Sequence, residues 1–306
     1  MSSPNRIRIG TRESALALYQ AREVQSKFDK SIQTEIVEIT SDGDIDLQTP
    51  LYEMGIQGIF TKSLDIALLN GKIDVAVHSA KDIPTKLAKG LIICALLERG
   101  TTHDCLVLPA GKKSFDQEGA KIIASSSLRR RSQWLHRYPH HQMENLRGNI
   151  QTRLKKVDAS NWNGAIFAQA AIERLNITSH HVISLDWMLP APAQGAMAVV
   201  CREEDLEIRK ICEVINHKPT EICVTVERDF LATLQGGCAV PIAANAKLED
   251  NKIHLKGNIF SLDGKNKSEV DLFFELEQTK EAGKLAAAEV LRKGGELILK
   301  TFRSIS

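Results

Sequence analysis

An α/β protein carrying a separate C-terminal α+β part is what this sequence predicts, on three observations. Strand-like and helix-like stretches alternate through the first two thirds of the 306 residues, the order expected of βαβ units. Ile73–Val77 is a short apolar run, the composition of a strand covered on both faces. Near the C-terminus the pattern changes to three consecutive strand-like runs separated by the turn signals Glu249-Asp-Asn and Leu262-Asp-Gly, which reads as an antiparallel meander.

Taken in order, Arg6–Gly10 predicts a strand, and Thr11 or Ser14 can cap the helix that follows. Ala17, Ala21, Val24 and Phe28 recur at helical spacing on one face of that helix. Glu35–Thr40 predicts a strand, Thr61–Asn70 a helix stopped by Gly71, and Ile73–Val77 the next strand. A second unit repeats the alternation. Lys121–Ala124, Met143–Leu146 and Gly164–Ala168 predict strands; Ser126–Arg137, Ile150–Val157 and Gln169–Leu175 predict helices. Met197–Arg202 is again strand-like and Glu203–Asn216 helical. Pro219–Leu234 predicts a helix ended by Gly236-Gly237. The meander strands are Val240–Leu248, Ile253–Phe260 and Glu269–Leu276, and one final helix spans Glu281 to Leu299.

Composition is that of a globular chain, 43% hydrophobic and 25% charged, with a formal net charge of +2. So small a net charge says little about partners, but its distribution is uneven. Lys121 to Lys156 holds nine Lys or Arg against one acid, Glu144, a local field suited to a polyanionic ligand. Basic-aromatic interleaving is confined to Trp134 and Tyr138, which argues against nucleic acid. The N-terminus has no apolar signal core and no run reaches membrane-spanning length, so a cytoplasmic location is expected. The six cysteines include no CxxC pair and no metal-ligand spacing; most are expected as small core residues, and no metal is expected.

In open α/β sheets ligands gather at the carboxyl ends of strands, beside helix N-termini. Thr11-Arg12-Glu13-Ser14 falls at such a place, offering either a helix cap or an anion contact through Arg12 and Ser14. Ser125-Ser126-Ser127 followed by Arg129, Arg130 and Arg131 opens a helix directly after a strand, combining hydroxyls, free backbone N–H groups and guanidinium forks. Arg147-Gly148-Asn149 is a third cluster, with Arg153 one helical turn on and Gly148 permitting close backbone approach. Arginines suit carboxylates because the planar fork grips both oxygens. Asp82, after Ser79 and Lys81 in "VAVHSAKDIPT", is the exception: a carboxylate where a strand ends, readable as a surface turn residue or as an acid that stabilises developing positive charge. Cys238 follows two glycines at a helix end, a setting unlike that of the other cysteines and compatible with a nucleophile, a covalent anchor or a small core residue.

The stretches "GTRESALAL" (10–18), "VAVHSAKDIPT" (75–85), "SSLRRRSQ" (126–133), "LRGNIQTRL" (146–154), "APAQGAMAV" (191–199) and "VERDFLATLQGGCAVPIAA" (226–244) together resemble the porphobilinogen deaminase (hydroxymethylbilane synthase) family along essentially the whole chain. The resemblance implies two similar α/β domains of the periplasmic-binding-protein type plus a C-terminal α+β domain with a three-stranded antiparallel sheet. The divisions expected are 1–97 with 196–215, then 98–195, then 216–306. It implies a transferase that condenses porphobilinogen on a covalently held dipyrromethane cofactor anchored at Cys238, with Asp82 catalytic. Ser79, Lys81, Ser127, Arg129, Arg130 and Gly148 match cofactor-contacting positions. Arg12, Ser14, Lys62, Arg147, Arg153, Arg174 and Gln194 match substrate-binding positions, and a monomer is expected. Three departures stand out: Gln57 where a second loop lysine is frequent, an extra residue within 40–44 that leaves Asp44 without a role, and Arg131 where glutamine is frequent. A two-lobed, non-catalytic anion receptor or effector domain is the alternative, since such a fold alone does not define chemistry.

Overall fold

The computed structural model describes residues 6–40, 61–234 and 240–303. Of these, residues within 1–47, 56–100 and 195–221 form one compact unit, and those within 101–194 and 222–306 the other.

The first unit is built on a five-stranded sheet. Strands β1 (Ile7–Thr11), β2 (Thr34–Glu38), β3 (Val75–Ser79), β4 (Leu91–Leu96) and, from much later in the chain, β10 (Met197–Arg202) lie in the order β2-β1-β3-β10-β4. β1 pairs parallel with β2 and β3, whereas β10 is antiparallel to both β3 and β4. Helix α1 (Ala15–Lys27) packs its predicted face on this sheet: Ala21, Val24 and Phe28 join Ile7, Ile9, Val75 and Val199 in one buried cluster. Ser14 is the N-cap, its hydroxyl accepting from the Ala17 N–H at 3.3 Å. Helix α2 (Lys62–Leu69) covers the sheet with Leu64, Ala67 and Leu68.

The second unit repeats this plan. β5 (Asp104–Val107), β6 (Ile122–Ala124), β7 (Gln142–Glu144), β8 (Gly164–Ala168) and β9 (Val182–Ser184) lie in the order β7-β6-β8-β5-β9, again two parallel pairings followed by two antiparallel ones. β6 therefore corresponds to β1 and β8 to β3. The fourth strand of each sheet, β10 or β5, enters just after the chain has come from the other unit, and in the first sheet that strand is distant in sequence from its partner β3. Helices α3 (Leu128–Arg137), α4 (Ile150–Ala159) and α5 (Gln169–Arg174) follow β6, β7 and β8. The same unit also holds α7 (Lys218–Thr233) from Ile222 onward and a meander, β11 (Ile242–Glu249), β12 (Lys252–Phe260) and β13 (Lys267–Glu275), antiparallel throughout. The second half of α7 packs Val226 and Phe230, with Leu234 just beyond its end, against Ile242, Ile253, Leu255 and Ile259. In the first unit, α6 (Leu206–Glu213) lays Ile208 and Cys212 on β4 and β10.

Several expectations are corrected. β3 ends two residues later than the predicted 73–77, because Met197 and Ala198 of β10 pair with Ser79 and His78. Neither large sheet is purely parallel. β4, β5 and β9 lie outside the predicted strands; β9 is three residues long and β5 four, too short for a periodic signal. The predicted helix 203–216 narrows to α6, since Asp205 caps it by accepting from the Ile208 N–H at 3.2 Å. The single final helix is instead α8 (Thr279–Val290) and α9 (Glu296–Arg303), broken at Gly294, whose φ of 106° leaves helical space.

Candidate functional site

Each candidate cluster sits where a strand ends and a helix or turn begins, and the two units place them equivalently. In the first unit, β1 runs into Arg12 and Ser14, and neighbouring β3 runs into a 3₁₀ turn, Ala80–Asp82. Arg12 and Ser14 are half-buried, as are Ser79 and Lys81, while Asp82 is exposed. Ser79 Oγ accepts from Gln20 Nε2 of α1 at 2.9 Å, which ties the end of β3 to the covering helix. Pro84 and the buried Ile83 follow, fixing the turn. His78, next to Ser79, is 5% exposed, and its Nε2 has no hydrogen-bond partner. Burial, and then the nearby Arg12 cation, push its pKa down to about 4, so the imidazole is neutral at pH 7. Lys62 is exposed at the start of α2.

In the second unit, β6 runs into Ser125–Ser127 and α3. Ser126 Oγ donates to Leu146 O at 3.1 Å and accepts from Leu146 N–H at 2.8 Å, holding the strand end beside the Arg147 loop. Ser127 is the N-cap residue of α3, half-buried, with no side-chain cap bond. Arg129 and Arg130 point inward. Both meet Asp104 of β5: Arg129 Nη1 lies 2.7 Å from Oδ2, and Arg130 Nε and Nη2 lie 3.0 and 2.7 Å from Oδ1. Arg129 also donates to Leu189 O at 2.8 Å and Arg130 to Ile166 O at 3.0 Å. Gln194, fully buried, donates from Nε2 to Asp104 Oδ1 at 2.9 Å and to Thr102 O at 2.7 Å. Burial alone would push the Asp104 carboxyl up; the two guanidiniums outweigh it and hold it far below the usual carboxylate range. Burial lowers the Arg129 pKa, with Asp104 opposing.

The Arg147 loop forms a second cationic group. Gly148 has φ 112°, and a Cβ there would lie 2.8 Å from Thr152 Cγ2. Its carbonyl accepts from Arg153 Nε at 2.7 Å, and the Arg147 carbonyl from Lys156 Nζ at 3.1 Å. Asn149 caps α4 through the Thr152 N–H at 2.9 Å. Arg147 is buried, and Arg153 and Arg174 are half-buried. Arg131 donates to Met143 O at 3.3 Å, a use for its extra charge within the fold. Behind α3, Trp134 Nε1 donates to His141 Nδ1 at 3.1 Å, and Tyr138 stacks on His141 with ring centroids 4.9 Å apart. Indole N–H is donor only, so the proton of neutral His141 is on Nε2, which donates to Gln117 O at 3.3 Å. This apolar backing fixes the helix that carries the arginine pair.

Thus the second unit brings Arg129, Arg130 and Gln194 onto one carboxylate. Asp104, the hub, escaped sequence reading because an acid inside a four-residue strand carries no pattern of its own. One signal was available: two adjacent arginines inside a predicted core helix need a buried counter-charge. Cys238, Gln57 and Asp44 lie outside the described residues; the five described cysteines are free thiols, Cys94 half-buried and the others buried. Among the described residues no His, Cys, Asp and Glu cluster could hold a metal, and no helix is long and apolar enough to cross a membrane. The groups gathered around α3 and α4 are guanidiniums, hydroxyls, a helix start and a glycine at positive φ, of which the first three are types that bind anions.

Residues 7–210 match the family described as porphobilinogen deaminase, dipyromethane cofactor binding domain, and residues 221–292 match the porphobilinogen deaminase C-terminal domain. Porphobilinogen deaminase of Synechococcus elongatus is 38% identical over 98% of this chain and 96% of its own. The chloroplastic porphobilinogen deaminase of Oryza sativa subsp. japonica is 39% identical over 94% of this chain and 84% of its own. Among solved structures, the Bordetella pertussis BvgS periplasmic VFT2 domain aligns with a TM-score of 0.39 at 11% identity, over 69% of this chain and 86% of that one.

Proposed function

The chain belongs to the porphobilinogen deaminase family, and from that membership we propose that it condenses four porphobilinogen molecules head to tail into 1-hydroxymethylbilane, releasing ammonia at each step. The observation that carries this reading is the match to both family domains, in order, across nearly the whole chain. The non-catalytic receptor reading has no comparable support.

In this reading Cys238 holds the dipyrromethane cofactor, which supplies a covalent primer so that the chain end stays at high effective concentration. Each pyrrole brings an acetate and a propionate. Ser127, Arg129, Arg130, Gly148, Ser79 and Lys81 hold the cofactor's carboxylates and backbone contacts; Arg12, Ser14, Lys62, Arg147, Arg153, Arg174 and Gln194 receive or position substrate. Asp104 neutralises one of the two buried arginine charges, leaving the Asp104–Arg129–Arg130 group with a net positive charge. That supports binding of an anion without two uncompensated buried cations. Asp82, on its exposed turn, accepts pyrrole N–H bonds and stabilises the positive charge that develops as ammonia leaves. The division into 1–97 with 196–215, 98–195 and 216–306, a cytoplasmic location, a monomeric state and the absence of nucleic-acid partners complete the proposal.

Intact-mass measurement tests it directly. Protein made in a haem-synthesising host is expected to exceed its sequence mass by one dipyrromethane, and Cys238→Ala to lose that increment. Asp82→Asn is expected to keep fold and increment while losing at least about a hundredfold in kcat. A bare sequence mass for the unmodified chain, or normal turnover in Asp82→Asn, would refute the respective assignment.

A further inference from the structure

Glu227 is fully buried in α7, yet nothing in the assigned chemistry uses it. Its two oxygens accept from different parts of the fold. Oε2 takes the Ala193 N–H and Oε1 the Ala246 N–H, both at 2.6 Å. Both partners are special. Ala193 has φ 63°, a left-handed conformation that a residue with a Cβ adopts only when its surroundings impose it. It immediately precedes Gln194, whose side chain reaches Asp104 and Thr102, and Gly195, where the chain enters the other unit. Ala246 lies on β11, the edge strand of the meander. Its N–H points away from β12, as does that of Ala244, which donates to Pro190 O at 3.2 Å. The outward edge of the meander is therefore sewn to residues 190–193, once directly and once through the Glu227 carboxyl group. An unpaired edge N–H buried without water would carry a large penalty.

The Ala193–Gln194 step fixes the buried amide that closes the Asp104–Arg129–Arg130 group. One side chain thus ties α7 and the edge of β11 to the backbone step that carries Gln194 to the arginine pair.

We propose that Glu227 is a positioning residue for the reaction: by holding Ala193 in its left-handed conformation and binding the edge of β11, it fixes the Gln194 side chain against the Asp104–Arg129–Arg130 group. The inference rests on the functional reading above. Glu227→Gln keeps the shape but replaces one acceptor with an NH2 group, which faces an N–H and accepts nothing. Ala193 then relaxes toward negative φ and carries Gln194 with it.

The test compares the unmodified chain, Glu227→Gln, and Glu227→Gln combined with Ala193→Gly, because glycine holds a positive φ at no steric cost. Expected for Glu227→Gln are faster amide exchange confined to residues 189–195 and 242–248, a retained cofactor mass increment, and a kcat lowered about tenfold with KM changed less than about threefold. The glycine in the double variant is expected to restore most of the lost kcat and to slow exchange in 189–195, while the melting temperature stays below that of the unmodified chain. A merely structural role would lower the melting temperature with kcat unchanged below it, and glycine would rescue nothing; either result overturns the proposal. Should Glu227→Gln fail to fold, Glu227→Asp, which keeps both oxygens but reaches only one N–H, gives the same contrast. An unmodified chain without activity toward porphobilinogen would instead overturn the functional reading, and the exchange data would still decide whether Glu227 holds Ala193.

Discussion

Asp104→Asn is expected to be among the most damaging single isosteric changes in the second unit. The carboxylate is 0% exposed, and its partners Arg129 and Arg130 are 6% and 7% exposed, so solvent screens almost none of the interaction. It accepts four hydrogen bonds, three from guanidiniums and one from Gln194. The amide keeps one acceptor oxygen but puts an NH2 group against nitrogen donors and removes the counter-charge. Leaving buried charge uncompensated costs about 3–5 kcal/mol. Arg129 and Arg130 retain their bonds to Leu189 O and Ile166 O, which places the expected loss near the lower bound, about 3 kcal/mol. For a unit of this size that lowers the melting temperature on the order of 10 °C. Urea denaturation followed by circular dichroism measures it, and a cycle with Arg130→Met isolates the pair, since residues sharing one network are non-additive. The Asp104 pKa is depressed in the fold below the unfolded 3.8. Its stabilisation is therefore complete above that value and is lost as pH falls below it. A loss under about 1 kcal/mol, or additivity with Arg130→Met, would refute the idea that this carboxylate is the electrostatic hub.

Two further outcomes follow from single side chains. His78 titrates near 4 in the fold against 6.5 unfolded, so the unfolded chain binds the proton first. Stability is expected to be full above pH 6.5 and to fall by up to about 3 kcal/mol as pH drops toward 4, and His78→Leu should flatten that slope in denaturation curves taken across the window; an unchanged slope would contradict it. Gly148→Ala forces a Cβ into Thr152 at φ 112°, so a loss of about 1–3 kcal/mol is expected by thermal melting, reduced when combined with Thr152→Ser, which removes the clashing methyl.

Helix α1 shows how far local pattern reaches. Ala17, Ala21 and Val24 repeat at helical spacing, and Ser14 stands at the N-cap position; both properties depend on residues within one or two turns, and the structure has them as read. The alternating strands of the meander are legible for the same reason, since the partners β11, β12 and β13 follow one another in the chain. The polar clusters after β1, β3 and β6 were legible as strand ends, because an apolar run stopping at Arg12, Lys81 or Ser125 is visible without any partner.

What was not legible depends on residues far apart. β3 runs on to Ser79 because β10, more than a hundred residues later, pairs with it. Arg129 and Arg130 read as a basic helix start, and only the arrival of β5 beside β8 puts Asp104 under them. Glu227 reads as one more charge on a helix until the fold sets Ala193 and Ala246 within reach of its two oxygens. The sequence alone determined the helices and strands whose pattern is local, such as α1 and the meander, because these are written in spacing, and its six motifs carried the resemblance to the family. Tertiary structure alone decided which buried charges neutralise each other and which strand completes each sheet, because electrostatic pairing and backbone pairing in the interior are properties of distance in space, and separation along the chain does not encode them.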